Sequence, residues 1–154
     1  MSKPRIISFV TACCFAAFSS ASAAGSAKPN VLMIVVDDLG WADLSCYGSK
    51  YHQTPHLDRL AREGMRFTQA YAACPVCSPT RAAMLTGRQH HAVHMGGITE
   101  IANSFPGYDS AIPPEAATVA EVLRMSGYAT GAFGKWHLTP SWEQGPAGPY
   151  HRWP

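Results

Sequence analysis

A continuous apolar run, Val31-Leu32-Met33-Ile34-Val35-Val36, stops abruptly at Asp37-Asp38. Apolar residues at every position, rather than at every second one, predict a strand buried on both faces, as in a parallel sheet. Thr54-Pro55 then caps a helix that carries Leu57, Leu60 and Ala61 and ends at Gly64. Met65 to Tyr71 reads as a second strand and leads through a short loop into a second helix. Ser78 is the expected N-cap of that helix, Pro79 its first residue and Gly87 its stop. Thr118-Val119-Ala120-Glu121 has the spacing of a capping box, opening a third helix with Val119, Val122 and Leu123 inward and Gly127 beyond its end. Tyr128 to Phe133 is a third short strand. The stretch from His90 to Asp109 carries turn signals at Gly96-Gly97 and Pro106-Gly107 and reads as an irregular surface excursion. From Pro140 onward prolines, glycines and tryptophans dominate, and no internal repeat is present.

This order of strands and helices predicts an α/β fold with a largely parallel (mixed) sheet flanked by helices. Ligands of such sheets gather beyond the carboxyl ends of the strands. Asp37-Asp38, Cys77, and Lys135 with His137 each fall just past a strand end. Three reactive clusters are therefore expected to converge on one edge.

The chain has 154 residues, enough for one ordinary domain. Lys3 and Arg5 precede an apolar run from Ile6 to Phe18, and small residues follow from Ser19 to Ala24. That layout predicts a secretory signal peptide over residues 1–24, with Ala21-Ser22-Ala23 as the cleavage motif. The run is too short for a permanent membrane span. Val10-Thr11-Ala12-Cys13 is an alternative lipoprotein box, preceded by only a brief apolar stretch. Export to a periplasm or the cell exterior follows. Removing the signal leaves ten Lys and Arg against ten Asp and Glu. The near-neutral balance points to neither a nucleic-acid nor a polybasic membrane surface.

Pro75-Val76-Cys77-Ser78-Pro79-Thr80-Arg81 sets one cysteine at a helix mouth, where free N–H groups and the positive dipole end favour a thiolate or an oxyanion. Arg81, one turn on, shares that face. A thioredoxin-like or half-zinc reading of Cys74-Pro75-Val76-Cys77 is the other option. It lacks a second ligand pair and leaves Ser-Pro-Thr-Arg unexplained. The whole segment to Thr86-Gly87 resembles the signature of the sulfatase family, in which the cysteine is oxidised to formylglycine after synthesis. Gly127 to His137 resembles the second signature of that family, departing at Phe133, where a smaller residue is usual and a packing variant is expected.

The resemblance runs from Pro29 to Pro154 and implies an alkaline-phosphatase-like sulfatase domain, with residues 25–154 as its amino-terminal part. Adjacent carboxylates need a cation to neutralise them, and hard oxygens suit calcium or magnesium. The family carries such an Asp-Asp pair as half of a calcium site, so Asp37 and Asp38, with Cys77 as formylglycine, are the expected metal ligands. Calcium is preferred to magnesium. The other half, an Asp-Asn pair, is expected downstream of Pro154, with a further Lys and His. By the same resemblance, a hydroxyl of hydrated formylglycine attacks sulfur and the second hydroxyl later expels sulfate. Arg81 and Lys135 stabilise the negative charge, and His137 assists proton removal. The implied partners are a small-molecule or glycan sulfate ester and a formylglycine-generating enzyme. Two alternatives remain: an inactive remnant, and a phosphate or phosphonate ester hydrolase of the same superfamily.

Once Cys77 is set aside, Cys46 and Cys74 form an even pair, and a disulfide between them is one option in an oxidising compartment. His90, His91 and His94 read as solvated or substrate-rim residues. His52, His56, Trp142 and Trp153 read as structural, while Asp43 and Asp109 carry no assignment.

Overall fold

The computed structural model describes residues 28–143. The expected signal peptide and Trp153 lie outside the described residues. The chain divides into two units, Met1–Ile34 and Val35–Pro154. In the first, residues 28–34 carry no regular structure and are exposed.

The second unit is built on three helices. α1 spans Pro55–Glu63, α2 Cys77–Thr86 and α3 Val119–Met125. Their positions follow from local chemistry. Pro55 starts α1, where its missing N–H costs nothing. The capping box of α3 is complete: Thr118 Oγ1 accepts from the Glu121 N–H at 3.2 Å, and Glu121 Oε2 accepts from the Thr118 N–H at 2.6 Å. Gly87 ends α2 with φ 65°, a left-handed cap in which its N–H satisfies the Ala83 carbonyl. One boundary differs from expectation. Val76, in extended conformation, is the N-cap of α2, so Cys77 rather than Pro79 is the first helical residue. Ser78 is buried inside the first turn instead of capping it. Proline is tolerated anywhere in that turn because none of its N–H groups has an intrahelical acceptor.

The sheet is the main departure. None of the three expected strands, 31–36, 65–71 and 128–133, forms a strand among the described residues. A strand is defined by a hydrogen-bonded neighbour, and an all-apolar one also needs cover on both faces. Neither is supplied within the described residues: Leu32 is 84% exposed, Tyr71 86% and Phe133 completely exposed. Phe133, expected as a packing variant, is thus uncovered among the described residues. The inward faces expected of α1 and α3 are likewise open, since Leu57, Leu60, Val119 and Val122 are exposed and Leu123 only half-buried.

The core lies elsewhere. Ala82 of α2 packs with Val93, Met95, Ala116 and Leu138, and Leu85, Ile112 and Trp136 close around them. Val93, Met95 and Thr99 are fully buried, which overturns the reading of His90–Asp109 as a surface excursion. The segment holds two 3₁₀ turns, His90–Val93 and Thr99–Ile101. It can be buried because its backbone groups bond one another: the Met95 N–H to the His90 carbonyl at 2.8 Å, the Gly96 N–H to the Gly107 carbonyl at 2.7 Å, and the Ser110 N–H to the His94 carbonyl at 2.9 Å. The signal at Pro106-Gly107 is a true turn. The Tyr108 N–H reaches the Phe105 carbonyl, and Gly107 takes φ 82°, the combination of a type II turn. At Gly96 a Cβ would lie 2.6 Å from the Tyr108 ring, so only glycine fits that approach.

Candidate active site

Although the expected strands do not form among the described residues, the residues beyond two of them meet. Asp37 Oδ2 accepts from Lys135 Nζ at 2.6 Å, and its Oδ1 accepts from Arg81 Nη2 at 3.1 Å. The second arm of the guanidinium, Nη1, donates to the Lys135 carbonyl at 2.6 Å. Arg81 thus ties α2 to the segments of both Asp37 and Lys135. Its side chain is only 11% exposed, so it is the shielded cation of the group, whereas those of Asp37 and Lys135 are 36% and 41% exposed. Arginine suits this place because its planar fork serves a carboxylate and a carbonyl together.

The two cations, Lys135 first and then Arg81, hold the Asp37 carboxyl below its ordinary range. Reciprocally, the Asp37 carboxylate, with a smaller contribution from the nearby Cys77, holds Lys135 above its ordinary value. The signs fix a pH window. Asp37 is lowered in the folded state, so its contribution is complete above the unfolded value of about 3.9 and disappears as pH falls through the lower folded value. Lys135 is raised, so its contribution is complete below about 10.4 and disappears as pH rises through the higher folded value. The stability difference between wild type and Asp37→Asn, measured by thermal denaturation across pH, is expected to be flat between these limits and to shrink outside them. The pair is exposed, so the difference is small and falls with added salt.

Cys77 is a half-buried free thiol at the first position of α2. Cys46 and Cys74 are also free thiols, so no bridge joins them. Asp38 takes φ 54°, a left-handed conformation that Asp tolerates better than most residues. It has no hydrogen-bond or ion-pair partner among the described residues. His137 also takes a positive φ, 57°. Its ring is bound by Glu100, both of whose carboxylate oxygens lie 2.9 Å from Nε2. Sequence reasoning missed Glu100. It sits in the short turn Thr99–Ile101 without a motif, and only a contact across 37 residues reveals it.

The donor chemistry suits a divalent cation in part. Asp37 and Asp38 are adjacent hard carboxylates, but calcium takes about six to eight oxygens. Among the described residues no group of three or more His, Cys, Asp or Glu side chains is arranged to hold a metal. Both Asp37 oxygens are engaged by Lys135 and Arg81.

The histidine-rich segment is structural in part. His90 is buried, with Nδ1 3.1 Å from the Met95 carbonyl, and stacks on His91. His91 Nε2 lies 3.0 Å from the Tyr108 hydroxyl, and His94 pairs with Asp109 at 3.0 Å. Asp43 accepts from the Gly40 N–H, His52 packs its ring nitrogen on the Asp43 carbonyl, and Trp142 is exposed.

Residues 29–154 match the family model described as Sulfatase. The chain belongs to the sulfatase family. Among similar curated proteins, the steryl-sulfatase of Mus musculus is 50% identical over 111 residues, covering 71% of this chain and 18% of the relative. Arylsulfatase A of Homo sapiens is 46% identical over 119 residues, covering 77% and 23%. A solved structure titled "Crystal structure of Ps i-CgsB" superposes with a TM-score of 0.66 at 39% identity, covering 77% of this chain and 26% of that one. This sulfatase chain thus spans about a fifth of the length of the curated relatives it matches. The matched range includes Asp37, Cys77, Arg81, Lys135 and His137. No helix of the described residues is long and apolar enough to cross a membrane.

Proposed function

We propose that residues 25–154 are the amino-terminal part of a sulfatase catalytic domain that hydrolyses sulfate esters, exported to a periplasm or the cell exterior by a signal peptide at residues 1–24. The observation that carries this reading is the meeting of Asp37, Arg81 and Lys135 near Cys77, at the mouth of α2, inside the family match.

In this reading Cys77 is converted to formylglycine by a formylglycine-generating enzyme. The hydrated aldehyde supplies two hydroxyls on one carbon, one for attack on sulfur and one for release of sulfate. A divalent metal, calcium in preference to magnesium, would be held by Asp37, Asp38 and the modified position 77, and when bound it polarises the sulfate oxygens and acidifies the nucleophile.

The chain's own residues do the rest. The first turn of α2 turns its free N–H groups toward an anion. Arg81 and Lys135 place two positive charges where negative charge accumulates on sulfate, and Asp37 keeps both cations ionised and oriented. His137 takes the proton from the hydroxyl that remains when sulfate leaves. The apolar segments left uncovered among the described residues favour a second reading, an inactive remnant of a sulfatase.

One experiment addresses both readings. Intact-mass analysis of the exported protein, made alongside a formylglycine-generating enzyme, should show the cysteine-to-aldehyde mass change on the peptide containing Cys77. The whole enzyme of which this chain is the amino-terminal part should then turn over an aryl sulfate in the presence of calcium, in preference to the matching phosphate ester. Aldehyde without turnover favours the remnant reading, and faster phosphate turnover favours a phosphate ester hydrolase.

A further inference from the structure

His137 and Glu100 come together through two tethers. Leu138, next to His137, is part of the core, and Thr99, next to Glu100, is fully buried. Ser141 Oγ also donates to the Thr99 carbonyl at 3.4 Å, joining the same two segments a second time. The Glu100 carboxyl is held below its ordinary range, chiefly by the His137 contact.

An ionised carboxylate only accepts hydrogen bonds, and a neutral imidazole has one donor and one acceptor nitrogen. With both Glu100 oxygens 2.9 Å from Nε2, the proton belongs on Nε2. Nδ1 then carries the lone pair. It is buried, and it has no hydrogen-bond partner among the described residues. A buried acceptor kept without a partner is costly in a purely structural histidine, but it is what a proton-accepting nitrogen requires.

We propose that Glu100 is the positioning residue of His137: its carboxylate fixes the proton on Nε2, leaving Nδ1 to accept the proton in sulfate release. The inference rests on the reading of His137 as the base. In the step, the O–H bond of the hydroxyl that remains on the carbon at position 77 breaks and its proton forms the Nδ1–H bond; its electron pair closes the C=O bond of the aldehyde as the C–O bond to sulfate breaks and sulfate leaves, and the positive charge on the ring is matched by Glu100. Glu100 does not touch substrate, and its side chain is 54% exposed, so it acts by orientation rather than by burial.

The test is nitrogen-resolved NMR of the His137 ring in the full chain at mildly alkaline pH, for wild type, Glu100→Ala and Glu100→Gln. Wild type is expected to hold the proton wholly on Nε2, and both variants should relax toward the tautomer mixture of a free histidine. A proton on Nδ1 in wild type, or the same ratio in wild type and Glu100→Ala, overturns the proposal without requiring either variant to be active. On the formylglycine-bearing enzyme, kcat of Glu100→Gln should fall about 10–100-fold with KM nearly unchanged, with partial rescue in Glu100→Asp. An unchanged kcat overturns the role. Absence of wild-type turnover beside the expected tautomer overturns the hydrolase reading while supporting the pairing.

Discussion

Replacing Cys77 with serine is expected to reduce turnover of an aryl sulfate by about 10⁴–10⁶-fold, the loss typical of removing a nucleophile. The variant should nevertheless keep its fold. Cys77 is the first residue of α2, only half-buried, and serine is smaller by little and at home at a helix start. Circular dichroism and thermal midpoint should therefore match wild type closely. The loss is chemical: one hydroxyl can attack sulfur, but no second hydroxyl remains on that carbon to expel sulfate. A burst of a single product equivalent, followed by arrest and a sulfate adduct in the intact mass, is the sharpest form of the outcome. Normal multiple turnover by Cys77→Ser would rule out the formylglycine mechanism for this chain.

What could be read from the sequence divides along the range of the interactions involved. Pro55, Gly87 and the Thr118–Glu121 capping box act within one helical turn, and α1, α2 and α3 stand where those signals place them. The cap of α2 lies at Val76 rather than Ser78, in extended backbone and with no side-chain cap hydrogen bond. The apolar runs at 31–36, 65–71 and 128–133 spell strands only when a neighbour completes the ladder, and none does so among the described residues. Val93 and Met95 were hidden by the turn-forming residues around them, since glycine and proline signals report backbone bends and not burial. The same division holds in the site. Cys77 and Arg81 lie one turn apart on one helix, so their proximity was readable. The approach of Asp37 and Lys135, 98 residues apart, was expected only through strand ends that the described residues do not form. Glu100 had no local mark at all.

Asp37→Ala is expected to cost activity more than stability. Asp37 is the common partner of Lys135 and Arg81, and removing it leaves two like charges side by side with no anion between them. Lys135, which Asp37 holds above its ordinary pKa, loses that support. Arg81 keeps its bond to the Lys135 carbonyl, so the α2 link survives in part. The ion pairs lie near the surface, and their loss should shift the thermal midpoint little. Turnover should fall by about 10²–10³-fold or more, the scale for losing one preorganised electrostatic contact in an active site. If Asp37 also ligates the metal, calcium titration should show weaker saturation in the variant. The control is Asp58→Ala, which removes a carboxylate paired with Thr54 in α1, remote from the site in its contacts, and should leave turnover unchanged. Asp37→Asn separates the two roles of the carboxylate: the amide restores volume and one acceptor oxygen but no charge. Turnover recovering in Asp37→Asn would show that Asp37 acts by shape alone, whereas loss equal to Asp37→Ala would show that its negative charge is what organises Lys135 and Arg81.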